Sequence, residues 1–178
     1  MNIIFEDDDI IVVEKPANVP VQPDRTMDLD MVSRLQYYLR KKNPKECYVG
    51  LVHRLDRPVS GVMVFGKTPK ATANLNEQIR QGQMKKIYMA EVLGTLPVEG
   101  YLENWLKKDP KNNRSMVVSK DQGGKLAKLR YFLEETMEVD SEVVSKVRVH
   151  LLTGRHHQIR VQFAHNYTPL MGDTKYND

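Results

Sequence analysis

A chain of 178 residues with 40% apolar content and no long apolar run can bury one sizeable core, which excludes membrane-spanning and low-complexity classes and predicts a soluble globular domain. The single cysteine, Cys47, excludes an internal disulfide framework, and the opening MNIIFEDDDIIVVEKP has neither the basic start nor the unbroken apolar core of a signal peptide, so a cytoplasmic location is expected. A net charge of +4 leans toward a polyanionic partner such as nucleic acid but does not by itself decide for one.

Residues 9–15, DIIVVEK, form a short β-branched run closed by Pro16, which predicts a strand turning into an extended loop through PANVPVQPD, with Asn18 at a left-handed position. Leu29, Val32, Leu35, Tyr38 and Leu39 recur at helical spacing over residues 28–42, and Asn43-Pro44 ends that helix. VMVFGKT then reads as a buried strand, followed by Thr68 as N-cap, Pro69 as first helical residue, a helix to about Arg80 and Gly82 just beyond it. KIYMAEVLG is a further strand, whereas residues 101–121, rich in lysine and asparagine and weakly periodic, predict surface loops and short strands. LAKLRYFLEE and VVSKVRVHLL read as partner strands across an acidic turn, and TGRHHQIRVQFAH passes from a Thr-Gly turn into a helix. Strands and helices without regular βαβ alternation indicate an α+β domain with a mixed, largely antiparallel central sheet flanked by helices and loops. No repeat or linker divides the chain, so one domain over residues 1–178 is expected.

Residues 61–68, GVMVFGKT, match the phosphate-loop spacing and so nominate an NTPase. The physical context opposes it. A phosphate loop needs flexible backbone between its glycines, where Val62, Met63, Val64 and Phe65 favour a strand, and Pro69 removes an N–H from the first helical turn. Of the histidines only His156, His157 and His165 cluster. Neighbours on a helix diverge by about 100° and do not easily face one ion, so no metal is expected.

The stretch LVHRLDRPVSG sets Asp56 between Arg54 and Arg57, with apolar Leu51, Val52 and Leu55 before it and Pro58 and Gly61 after it. An ordinary surface aspartate would pair with a neighbouring arginine; here the apolar residues imply a packed loop and the proline and glycine a stiff one, which suits a held reactive group. Tyr88, inside a strand, is by default a core or face residue, although its ring can equally stack on a base. In TGRHHQIR, Arg160 falls at the edge of the helix's buried stripe, where its guanidinium needs a carboxylate such as Asp56, and Arg155 and His157 near the helix start suit phosphate.

The segments HRLDRPVSG, KKIYMAEVLG and TGRHHQIRVQFAHNYTPLMGDTKY, in that order and preceded by FEDDDIIVVEKPANVPVQP, resemble the RluA-type RNA pseudouridine synthases over nearly the whole chain. The resemblance implies that specific uridines in structured RNA, ribosomal or transfer, are isomerised to pseudouridine by a monomer that needs no cofactor, metal or membrane. It implies Asp56 as catalytic aspartate, Tyr88 as the ring against the uracil and Arg160 as the basic partner of the aspartate. Arg54 would enter the space left by the flipped nucleotide, and Arg57, Arg155, His157 and Gln158 would join it in holding RNA. Two departures are visible: Val59 replaces a common threonine, and Asn18 a usual glycine after KPA. The chain ends at GDTKYND where such enzymes continue through further strands, and no S4-type domain precedes it, which implies either a shortened catalytic domain or an unusually short member. The rival reading is a non-catalytic RNA-binding module with the same basic pocket.

Overall fold

In the acidic opening, the strand predicted after Asp9 is the second of a pair: β1 (Asn2–Glu6) and β2 (Ile10–Lys15) form an antiparallel hairpin whose Asp7 carboxylate accepts the amides of Asp9 and Ile10 in the turn. The computed structural model describes residues 1–45 and 47–177, in two compact units, Met1–Met84 and Lys85–Asp178. The first unit continues with α1 (Met31–Lys42), β3 (Gly50–Leu51), β4 (Gly61–Gly66) and α2 (Pro69–Arg80), and its antiparallel sheet has the order β1-β2-β4-β3. Alternation along β2 and β4 buries Ile11, Val13, Met63 and Phe65, which pack with Val21, Met31 and Leu35 as one apolar cluster. The first helix starts at Met31 rather than near Asp28 because Asp30 caps it, accepting the Ser33 amide at 3.0 Å. Asn18 is left-handed at φ 64°, the conformation that glycine would supply at that place.

The phosphate-loop match dissolves here. All of residues 61–66 pair with β2, from Lys15↔Gly61 to Ile10↔Gly66, so the supposed loop is a strand. Lys67 turns its ammonium onto Glu6 Oε1 at 3.0 Å and the Asp7 carbonyl. Gly66 serves packing: a Cβ there would fall on Thr72 Oγ1 and within 2.9 Å of the Thr72 amide nitrogen, so α2 lies directly on the glycine. Glu6 also accepts Tyr38 Oη and Lys42 Nζ; burial works to raise its pKa, but the Lys42, Lys67 and Tyr38 bonds prevail and hold it at about 2.

The second unit contains β5 (Lys86–Leu93), β6 (Glu99–Asp109), β7 (Arg114–Val118), β8 (Lys125–Val139), β9 (Glu142–Leu151) and α3 (Gln158–His165). Its antiparallel sheet has the order β5-β9-β8-β6-β7. Val92, Leu129, Tyr131, Val147, Val149 and Phe163 of α3 make the principal core. β8 and β9 pair as expected, and their turn is Asp140-Ser141, both at positive φ (50° and 66°), the two-residue geometry that follows strand twist. The α+β class and antiparallel pairing hold; the strands divide between two sheets instead of forming one central sheet.

The middle stretch departs from expectation, since β6 is an 11-residue strand. The half-buried or buried positions from 100 to 106 along its inner face are Gly100, Leu102, Asn104 and Leu106, and two of these carry no apolar signal. Gly100 leaves room for the Tyr131 ring, and Asn104 accepts Gln162 Nε2 at 2.8 Å, so packing partners replace hydrophobicity. Among the described residues no helix is long and apolar enough to cross a membrane.

Gly66→Ala is expected to push α2 off β4 and destabilise the protein by about 1–3 kcal/mol in urea denaturation, the usual consequence of overpacking.

Candidate active site

Asp56 stands in the loop 52–60 that joins the antiparallel neighbours β3 and β4. Leu51 and Leu55 pack against the first unit's core, which fixes the loop's approach. His53 Nε2 accepts the Val64 amide at 3.1 Å and ties the same segment to β4. Beyond Asp56 the chain reverses tightly, with Val59 N donating to Asp56 O at 3.0 Å. The expected stiff, packed loop is therefore present, and Val59 sits in it through its backbone.

Beneath the turn lies Lys15, a residue that sequence reasoning passed over. As the last residue of β2 it follows Ile11 and Val13 onto the buried face, and its side chain is fully buried. Its ammonium donates to the carbonyls of Pro16 (2.9 Å), Val19 (2.7 Å) and Arg57 (3.0 Å), joining the PANVP loop to the turn that carries Asp56. Burial pushes its pKa down to about 8, against the pull of the Asp56 charge, so it still carries a proton at neutral pH. The alternation IIVVEK held the signal: positions 11 and 13 face inward, and 15 follows by parity.

The flanking arginines differ. Arg54 is exposed. Arg57 is committed to the preceding loop, where it donates to Thr26 Oγ1 at 2.9 Å, to Asp28 and to Asp24, and Asp28 raises its pKa. An arginine so neutralised contributes less to a basic rim than the sequence suggested.

In the second unit Tyr88 is half-buried on the inner face of β5, beside Ala90 and Val92, and packs against the core cluster. Arg160 on α3 pairs bidentately with Asp173, Nε to Oδ2 and Nη2 to Oδ1, both at 2.7 Å, and the Tyr176 ring lies 5.2 Å from its guanidinium. The sequence asked for a carboxylate beside this guanidinium and offered Asp56 as the example; the carboxylate bonded here is Asp173, and neither it nor Tyr176 was assigned. Burial tends to raise the Asp173 pKa; the Arg160 bond and the Lys175 and Tyr176 amides outweigh it and hold it below the ordinary range. The segment carrying Asp173 is itself fixed to β5, with Leu93 N on Pro169 O and Met171 N on Glu91 O.

The turn before α3 is laced by Gln158. Its Oε1 accepts Thr153 Oγ1 (2.8 Å) and the Arg155 amide (3.0 Å), while Nε2 donates to Lys128 O (3.0 Å). Gln158 is 3% exposed and His157 8% exposed, so neither presents itself to a partner as a surface contact does. Arg155 is exposed, its Nε on Leu126 O at 2.9 Å.

His157 caps α3 in left-handed conformation, φ 53°, outside the helix. The divergence expected of adjacent helical histidines therefore does not apply, and the His156 and His157 rings stack at 3.7 Å. Tyr176 Oη accepts the Ser115 amide and is hydrogen-bonded to His157 Nδ1, both at 2.7 Å. Burial first, then the nearby His156 and Arg160, push the His157 pKa down to about 3, which keeps the imidazole neutral.

These features coincide with a match to known proteins. A family model described as RNA pseudouridylate synthase covers residues 9–165, and the chain belongs to that family. It is 33% identical over 180 residues to the ribosomal large subunit pseudouridine synthase D of Xanthomonas campestris pv. campestris, covering 99% of this chain and 51% of that protein. It is 34% identical over 185 residues to an Aquifex aeolicus protein named uncharacterized RNA pseudouridine synthase, covering 99% and 56%. The chain thus spans about half the length of these relatives. The solved human RNA pseudouridylate synthase domain containing 4 shares its fold, with TM-score 0.81 at 23% identity over 99% of this chain and 69% of that one.

Lys15→Met removes the donor from three carbonyls and is expected to destabilise the protein by about 1–3 kcal/mol; urea denaturation and faster proteolysis within residues 52–60 would register it. For His157, the unfolded chain takes up a proton near pH 6.5 and the folded one only near pH 3, so stability falls as pH drops through that window. Between pH 7 and pH 5 the loss should reach about 2 kcal/mol, and His157→Asn, which tolerates the left-handed backbone, should flatten the slope.

Proposed function

We propose that this chain isomerises specific uridines of structured RNA to pseudouridine, with ribosomal RNA as the first substrate to try and transfer RNA as the second. The observation that carries the reading is Asp56, a carboxylate on a stiff, lysine-braced loop in a chain of the pseudouridylate synthase family. The reaction breaks the N1 glycosidic bond, turns the uracil over and rejoins it to ribose through C5, with no net gain or loss of atoms. It needs a carboxylate beside the sugar, either as nucleophile at C1′ or as base at C2′, and Asp56 fills that role. Arg160 takes the part of the basic residue that the family resemblance assigns to it, and Asp173 and Tyr176 hold its guanidinium in a fixed attitude. Tyr88 supplies the face against which the detached uracil stays close enough to recombine.

Target atoms inside a stacked helix are out of reach, so the nucleotide is flipped out, with Arg54 entering the vacated space and Arg155 holding backbone. Arg57 contributes mainly by bracing its loop, and His157 and Gln158 serve the same end at the turn before α3, supporting Arg155 rather than touching RNA. We place the enzyme in the cytoplasm as a monomer.

Asp56→Asn should abolish pseudouridine formation in unmodified ribosomal and transfer RNA, mapped by carbodiimide labelling and primer extension, while thermal melts and RNA affinity stay near wild type. If product persists in Asp56→Asn, the assigned role is wrong; a wild type that binds RNA without making product points to a non-catalytic module.

A further inference from the structure

β5 carries a second chemistry-bearing residue on the face that presents Tyr88. Side chains two apart on a strand point the same way, about 7 Å apart, and the burial pattern of β5 places Lys86, Tyr88 and Ala90 together on the half-buried face. Lys86 is paired across the sheet with Leu151, the last residue of β9, so it stands where the chain leaves the sheet for the turn into α3. Its ammonium reaches that turn: Nζ lies 3.2 Å from where a Cβ on Gly154 would be, so the bare glycine gives it room. The next residue is Arg155, whose Nε is pinned to Leu126 O and whose terminal amino groups are not used in that bond.

Lys86 and Arg155 thus both bring a cation to this one turn. Among the described residues neither takes part in an ion pair, in contrast with Arg160 and Arg57, which have carboxylates. Burial and the Arg155 charge both hold Lys86 below its ordinary pKa, in that order, as expected for a half-buried ammonium facing a like charge. Like charges at close range without a counterion are unfavourable alone and become favourable when an anion bridges them. The spacing from Tyr88 matches the reach from a base to its own backbone, which makes the anion a phosphate of the strand whose uracil Tyr88 faces.

We propose that Lys86 and Arg155 together bind one RNA phosphate beside the Tyr88 ring, and that Lys86 is a positioning residue setting the register of the flipped nucleotide. This rests on the pseudouridine synthase reading for the identity of the polyanion. A large-subunit ribosomal RNA transcript is the probe, with affinity measured between about 50 and 200 mM salt, where each phosphate contact adds about 0.7–0.9 to the slope of log affinity against log salt. Lys86→Met should weaken binding about tenfold at low salt and lower the slope by about one contact. Arg155→Met should lower it likewise, Lys86→Arg should keep it, and Lys70→Met, an exposed lysine on α2, should leave it unchanged. Thermal melts check that Lys86→Met is folded, and Lys86→Gln gives a second neutral side chain.

A slope for both neutral variants equal to wild type overturns the proposal, because a lysine with only a structural role changes stability and not counterion release. Pseudouridine formation by the same proteins is scored separately. A wild type that binds but makes no product defeats the catalytic reading while the slopes still decide Lys86, and a wild type that does not bind the transcript defeats both.

Discussion

A buried ammonium governs the first unit. Once β2 alternates its side chains, residue 15 is committed to the interior, and a lysine there must be surrounded by acceptors because an isolated charge inside a protein is prohibitively unfavourable. Lys15 meets the requirement with carbonyls from Pro16, Val19 and Arg57. Those acceptors belong to two loops with little regular structure of their own. The register of one strand thereby sets the course of both, and the turn beginning at Asp56 is fixed by a cation placed under it.

The second unit solves the same problem with different chemistry. Arg160 is fixed in direction by a bidentate carboxylate and an aromatic face, which a compact ammonium could not be. Its partners come from the segment after α3, and that segment is held by β5 through Leu93 and Met171. Gln158 does comparable work with a neutral amide, joining Thr153, Arg155 and Lys128 across the turn before α3. Polar groups withdrawn from water organise the irregular segments here, while the apolar clusters organise the strands and helices.

How much of this was legible follows from which signals are local. β2, β4, both long helices and the β8–β9 hairpin were readable because their periodicity and caps lie within a dozen residues: Thr68-Pro69 marks its helix, and Gly82 follows its end. β6 was not, because Gly100 and Asn104 occupy inner positions whose fitness depends on Tyr131 and Gln162, distant in sequence. Asp56 and Arg160 could be singled out by residue type and neighbours, whereas Tyr88 read by itself as a core or face residue and stood out only through the family resemblance of its segment. Lys15, Asp173 and Tyr176 could not, since their importance lies in contacts; Asp173 is thirteen residues from Arg160, and Tyr176 meets Ser115 across sixty-one. Burial also reversed the expected character of His157 and Gln158, which a linear motif displays as polar and the fold encloses.

The two glycines that invite functional interpretation make the same point about context. Gly66 completes a phosphate-loop spacing, yet the atom it lacks would strike Thr72, so packing of α2 accounts for it without any ligand. Gly154 completes no recognised spacing, yet its missing side chain leaves room for the Lys86 ammonium. Elsewhere the withdrawn cations are matched by protein acceptors: Lys15 by carbonyls, Arg160 by Asp173, Lys67 by Glu6. Lys86, half-buried at the turn that carries the exposed Arg155, has no ion pair among the described residues, so an external anion can bring the charge that the protein supplies to the others.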